Sequence, residues 1–407
     1  MTRTDAPDAP RTGVWAEVVG QPDAVRTLYA AVRAAHRQVR GEPVPPGSMT
    51  HAWLFTGPPG SGRSIAARAF AAALECTDAE SPGCGHCQAC RTVLHGTHAD
   101  VRVVVPEGLS ISVAEMRTLV QAAARRPTTG QWRIVLIEDS DRLTEGAANA
   151  LLKAVEEPPP RTVFLLCAPS DHPEDVSVTI RSRCRVVQLR TPLTSAIAEV
   201  LRERDGVEPE LAQWAASVSG GHIGRARRLA TDEEARERRE TVLRIPLGLQ
   251  RFADVFTAAA GLVKLAETEA AAANEERNEA EKEELRTAMG AGGTGKGTAA
   301  ATRGANAALK ELEKRQKSRA TRSQRDALDL ALVDLAGFYR DVLVTHAGAD
   351  VPLNHPDFAG PIAKAAAQWT SESALRRLNA VLDCRVALTQ NVKPIIAVEA
   401  MLAALQS

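Results

Sequence analysis

The stretch at residues 51–64 constrains the fold more than any other part of the chain. An apolar run, Trp53, Leu54 and Phe55, stops at Gly57, and an alanine-rich run with helical character opens at Ser64. Between them, Gly57-x4-Gly62-Arg63-Ser64 fits the P-loop pattern at every position but one. Glycine is needed there because backbone N–H groups must close around phosphate oxygens, and a Cβ would hold them away. The helix that follows adds partial positive charge at its N-terminus. The stretch therefore predicts a phosphate cradle made by Gly57, Gly60, Gly62, Arg63 and Ser64, with the Ser64 hydroxyl where a magnesium ligand would stand. The odd position is Arg63, in place of lysine. A guanidinium is planar and bulkier than an ammonium, so it neutralises phosphate without seating in the same slot. Holding ATP or ADP with Mg2+ and hydrolysing it are thus separate questions.

With 407 residues the chain has room for about two to four domains. Fifty basic and fifty acidic residues cancel, so general attraction to nucleic acid is not indicated. Aromatics make up 3%, too few for a platform on which single-stranded bases stack. No run of about 18 apolar residues is present and the first residues lack a hydrophobic segment, which leads to the expectation of a cytoplasmic protein with no membrane partner. Seven cysteines in such a chain favour metal binding or buried thiols over disulfides.

Strand signals at 53–55, 101–105, 133–137 and 162–167 alternate with helical runs, which predicts a mainly parallel sheet with helices on both faces. Residues 1–13 read as a loose tail. From Pro192 onward strand signals fade and the remainder reads as helix, with a flexible break at 290–297. Around that break, residues 267–285 hold eight glutamates and residues 303–325 hold eight lysines and arginines. Such segregation suggests a helical hairpin or a partly disordered insertion. A basic arm that touches DNA is the sharper alternative; a solvated charged face is favoured.

Three constellations carry chemistry. Cys84, Cys87 and Cys90 stand at two successive x2 spacings, and Cys76 precedes them. Knuckles of this kind point paired thiolates at one tetrahedral ion, and four ligands close the site, so the expected metal is a structural zinc. His86 is a poorer ligand candidate inside the knuckle, and a redox pair or idle thiols is the alternative. Glu138 and Asp139 end an apolar strand, where a P-loop enzyme keeps a magnesium ligand and a water-activating acid. The usual order is Asp then Glu; reversed, neither carboxylate reaches its ordinary target, which favours solvation over catalysis. Arg183, in Ser182-Arg183-Cys184, is placed either to act on a neighbour's γ-phosphate or to belong to a surface basic patch with Arg181 and Arg185.

Gly20-Gln21, the P-loop, the cysteine cluster after its helix, the run from Asn149 to Pro159 and Ser182-Arg183-Cys184 occur in that order. Over residues 15–230 this resembles the bacterial clamp-loader AAA+ subunits of DNA polymerase III, most closely the delta-prime type. The resemblance implies an α/β P-loop AAA+ domain at 1–191 with a zinc-binding insertion at 76–90. It further implies a small helical lid at 192–232 and an all-α collar at 233–407, carrying a charged insertion at 267–325. It implies a non-motor stator in a hetero-oligomer with gamma/tau ATPase and delta subunits, which loads the sliding clamp on primed DNA during replication. By the same resemblance Cys76, Cys84, Cys87 and Cys90 hold zinc. Arg183 serves a neighbouring ATPase as an arginine finger in trans. The chain is a component of a nucleotidyltransferase holoenzyme, at most a weak ATPase itself.

Departures from the ATPase pattern point the same way. Arg63 replaces lysine and Glu138-Asp139 is reversed. Residues 168–170 lack the paired threonines that sense a γ-phosphate, and Gly224 stands where motor subunits carry a sensing arginine. The rivals are an ATP-hydrolysing gamma/tau-like motor and a zinc-knuckle nucleic-acid-binding module on a degenerate P-loop domain.

Overall fold

The computed structural model describes residue 10, residues 12–288 and residues 298–406. The expected glycine break at 290–297, and most of the expected tail at 1–13, lie outside the described residues. The chain divides into two units, Met1–Arg227 and Arg228–Ser407.

The first unit is built on a five-stranded sheet of order β2-β3-β4-β1-β5. The strands are β1 (Ala52–Thr56), β2 (Val101–Val104), β3 (Arg133–Ile137), β4 (Thr162–Ala168) and β5 (Arg185–Gln188), and every pairing is parallel. β1 and β4 are buried along their whole length, which is why their sequences are continuous apolar runs rather than alternating ones. Successive side chains of β1 enter different cores. Trp53 and Phe55 pack with Leu28 and Phe70 on one face; Ala52 and Leu54 pack with Met116 and Leu151 on the other. The covering helices are α1 (Pro22–Val39), α2 (Arg63–Glu75), α3 (Gln88–Leu94), α4 (Val113–Ala123), α5 (Glu145–Glu156) and α6 (Val178–Arg181), followed by α7 (Thr194–Glu203), α8 (Pro209–Val218) and α9 (Ile223–Thr231). α4 starts on a reciprocal capping box between Ser112 and Glu115, and the Thr144 side chain caps α5.

One buried carboxylate ties the sheet edge to a neighbouring loop. Asp100, fully buried just before β2, accepts from the amides of Thr128, Thr129 and Gly130 at 2.9, 2.7 and 2.8 Å and pairs with Arg133 at 3.1 Å. Burial alone would raise its pKa, but those amide donors outweigh burial and hold the carboxyl well below its usual range. With a folded pKa below the unfolded one, the stabilisation is complete above about pH 4 and is lost as the pH falls further. Asp100→Asn should cost about 3 kcal/mol at neutral pH. It should also flatten the acid limb of stability against pH in denaturant titrations.

The second unit is helical: α10 (Glu233–Gly248), α11 (Phe252–Ala288), α12 (Thr298–Ala347), α13 (Ala359–Gln368), α14 (Ser371–Thr389) and α15 (Pro394–Gln406). Its core gathers Leu262, Leu332, Phe338, Val381 and Leu402. The charge-segregated arms pair as helices. Arg319 binds Glu281 at 2.8 Å, Asn274 donates to Ser323 at 2.9 Å, and Gln316 donates to the Asn278 carbonyl at 3.0 Å. Among the described residues no helix is long and apolar enough to cross a membrane.

Candidate nucleotide site and metal knuckle

The loop between β1 and α2 takes the shape its glycines allow. Gly62 caps α2 at φ 90°, and nothing lies within 4 Å of where a Cβ would project, so its left-handed backbone rather than crowding calls for glycine there. Gly60 (φ +85°) is needed for a second reason: a Cβ there would lie 2.6 Å from the Cα of His222. Gln21 fixes the loop from behind, donating to the Ser61 carbonyl at 3.2 Å and accepting from the Arg190 amide at 3.0 Å. The resulting cavity, about 330 Å³, has Gly62, Arg63 and Ser64 at one side and the apolar Val18, Val200 and Ile223 at another. That volume falls in the range of small-ligand sites.

The charged groups around the loop are already engaged with one another. Arg63 folds back and donates to the Gly57 carbonyl at 3.0 Å. Arg68, on the next turn of α2, binds Glu138 at 2.8 Å, and the Glu138 side chain is only 16% exposed. Asp139 turns the chain at φ 51°, a left-handed conformation that aspartate tolerates better than most residues. Burial, then the charge of Asp139, pushes the Asp141 carboxyl up, and one of its oxygens has no hydrogen-bond partner. These residues suit phosphate better than magnesium. The carboxylate that should face a hydrated cation already has a guanidinium for a counter-ion.

The arginine-rich segment does not form a patch. Arg181 binds Asp171 at 2.7 Å, Arg185 lies over the Trp53 ring at 5.1 Å, and Arg183 binds Glu156 at 2.7 Å. Arg183 also donates to the Thr179 carbonyl at 3.0 Å while its side chain stays 36% exposed. It does not line the cavity. Cys184 beside it turns inward, and burial pushes its thiol up to about 12.

The four sulfurs of Cys76, Cys84, Cys87 and Cys90 lie within 4.8 Å of one another and could hold one metal ion. Cys76 Sγ is 3.6 Å from Cys84 Sγ and 3.9 Å from Cys87 Sγ, close to the ~3.8 Å spacing that ~2.3 Å zinc–sulfur bonds impose in a tetrahedron. The amides of Cys87 and Cys90 each point at the preceding knuckle sulfur at 3.4 Å. His86 is exposed and outside the group. The knuckle is anchored by Trp15, which donates to the Pro82 carbonyl at 3.0 Å, and by the Val14 amide on Gly83 at 2.9 Å.

Sequence reasoning missed Arg68, Glu156 and His222 at these sites, although Glu156 lies within the run from Asn149 to Pro159. Each acts through a partner far along the chain: Arg68 with Glu138, Glu156 with Arg183 and His222 against Gly60.

The sheet, with β4 between the P-loop strand and the strand that ends in acids, defines an AAA+ P-loop fold. Residues 42–192 match the family described as "DNA polymerase III, delta subunit". The DNA polymerase III subunit delta' of Bacillus subtilis is 30% identical over 48% of this chain and 59% of its own length. That of Pseudomonas aeruginosa is 38% identical over 47% of this chain and 59% of its own. The subunit tau of Bacillus subtilis is 31% identical over 44% of this chain and 30% of its own. Over about half its length the chain is thus similar to clamp-loader subunits of DNA polymerase III. The match spans less than two thirds of the length of these relatives.

Proposed function

We propose that this chain is a delta-prime-type, non-motor clamp-loader subunit. It assembles with gamma/tau-type ATPase and delta subunits and helps load the sliding clamp on primed DNA. In this reading 192–232 is the lid, 233–407 is the collar, and zinc in the cysteine knuckle is structural. Arg183 supplies an arginine finger to the neighbouring ATPase. The observation that carries the reading is the ion pair between Arg68 and Glu138 at 2.8 Å. It neutralises the acid a P-loop ATPase keeps for its magnesium, and Arg63, held on the Gly57 carbonyl, replaces the phosphate-seeking lysine.

A motor subunit is the second reading, favoured by 31% identity to tau and gamma/tau relatives. The two separate on one measurement. The purified chain, with Mg2+, ATP and primed DNA, should show no turnover above background. Adding it to gamma/tau and delta should raise the turnover of the mixture. Brisk DNA-stimulated hydrolysis by the chain alone would establish the motor instead.

A further inference from the structure

We propose that His355 is an acid-sensitive clasp that fastens α10 to α12 within the second unit. The residue is 3% exposed and its ring is engaged at both nitrogens. Arg239 of α10 donates from Nη2 to His355 Nδ1 at 2.8 Å, and His355 Nε2 lies 3.0 Å from the Asp334 carbonyl on α12. A guanidinium offers no lone pair and a carbonyl offers no proton. Nδ1 must therefore accept and Nε2 must donate, which assigns the neutral ring with its hydrogen on Nε2.

The clasp gathers groups far apart in sequence. Asp341 of α12 is fully buried and accepts from the amides of Asn354 and His355 at 3.0 and 2.8 Å. Arg340 donates to Asp341 at 2.8 Å and to the Pro352 carbonyl at 2.7 Å, so residues 352–355 are pinned along α12. Gly337 lets the ring lie against that helix, because a Cβ there would come within 2.6 Å of Nε2. On the other side Arg239, itself 5% exposed, binds Asp357 at 2.6 and 3.1 Å.

Acid acts at Nδ1. The charged groups around the ring are Arg239 from α10, Asp334, Arg340 and Asp341 from α12, and Asp357 from the turn Pro356–Phe358. A second proton would point at a guanidinium that cannot accept it. Asp357 takes that proton's bond only by giving up part of its double contact with Arg239, so two cations compete for one carboxylate. Asp341 is already committed to two amides and to Arg340. Burial, the largest influence, holds the ring's pKa below its ordinary value; Asp334 and Asp341 pull it up, and Arg239 pushes it down. Closure is complete above about pH 6.5, where the ring is neutral whether the clasp is shut or open. As the pH falls further the open form takes the proton first, and closure weakens until the lower pKa of the shut form is reached. Val242 and Leu243 keep α10 in the apolar core, so the loosening is local.

The test is amide hydrogen exchange of the full chain, read by mass spectrometry at about pH 7.5 and about pH 5.5 and corrected for intrinsic rates. Protection of peptides from 233–248 and 349–358 should fall about tenfold at the lower pH, the limit for one ring with an open-state pKa of ~6.5. Peptides from α15 should hold theirs within about twofold. In His355→Gln and His355→Asn, whose amides do not titrate, the clasp peptides should be less protected at neutral pH and should not change between the two conditions. Melting curves check that each variant folds, and either one suffices. Protection in the native chain that stays within about twofold, or a fall of equal size in a folded variant, overturns the clasp.

Discussion

Cys90→Ser should release the metal from the knuckle and destabilise the first unit by about 4 kcal/mol, a fall of roughly 8–16 °C in its melting midpoint. The size follows from where the sulfurs sit. Cys76 and Cys90 are fully buried and belong to the same core as Trp15, Phe70 and Val93. A serine at 90 leaves three thiolates around an ion that prefers four, and puts a hydroxyl where the sulfur lies 3.5 Å from the Ala72 carbonyl. The knuckle also carries the anchors of residues 14 and 15, so its loosening frees the segment that leads into α1. Elemental analysis of the purified chain should find one zinc, lost in Cys90→Ser and kept in Cys384→Ser, whose thiol lies in the second unit. A native chain without metal, or a serine variant that keeps it, would refute a structural zinc.

Arg183→Ala should lower ATP turnover of the reconstituted complex by on the order of 10³ while leaving this chain's own fold and assembly unchanged. The fold is spared because the side chain is 36% exposed and its partner Glu156 is 44% exposed. Exposed pairs of that kind contribute at most about 1 kcal/mol. Its neighbours keep contacts of their own once it is gone: Ser182 bonds the Thr179 carbonyl through its hydroxyl, and Cys184 packs inward. A guanidinium delivered to a developing phosphate charge is worth far more than the same group in a surface pair, because the transition state lies in a drier, preorganised setting. Turnover of the mixed complex is the readout, with size-exclusion of the same mixture as the assembly control. Full turnover with Arg183→Ala in place would remove the arginine from the reaction.

The sheet was legible because its strands are covered on both faces, so 133–137 and 162–167 read as unbroken apolar runs rather than ambiguous alternation. The cysteine spacing was legible because knuckle geometry depends on local chain alone. What escaped was every ion pair at the sites. Arg68 and Glu138 are 70 positions apart, and no periodicity marks which acid a helix-borne arginine will meet. Arg181, Arg183 and Arg185 look like one patch as letters. In space the first closes a short helix, the last lies on β5, and each finds a different partner. The charged arms announced a pair of helices through their opposite signs. Their interior contacts, Asn274 with Ser323 among them, stayed hidden because asparagine and serine ordinarily mark surfaces.

The order β2-β3-β4-β1-β5 also dictates a sequence of events during synthesis. β1 is complete at Thr56, but its two neighbours end at Ala168 and Gln188. The central strand therefore leaves the ribosome with both edges unsatisfied and waits for more than a hundred residues of chain before either partner exists. Parallel pairings of that span are slow to close and leave apolar edges open to wrong partners. Newborn chains stalled between those two lengths should depend on chaperone holding far more than chains stalled after β5.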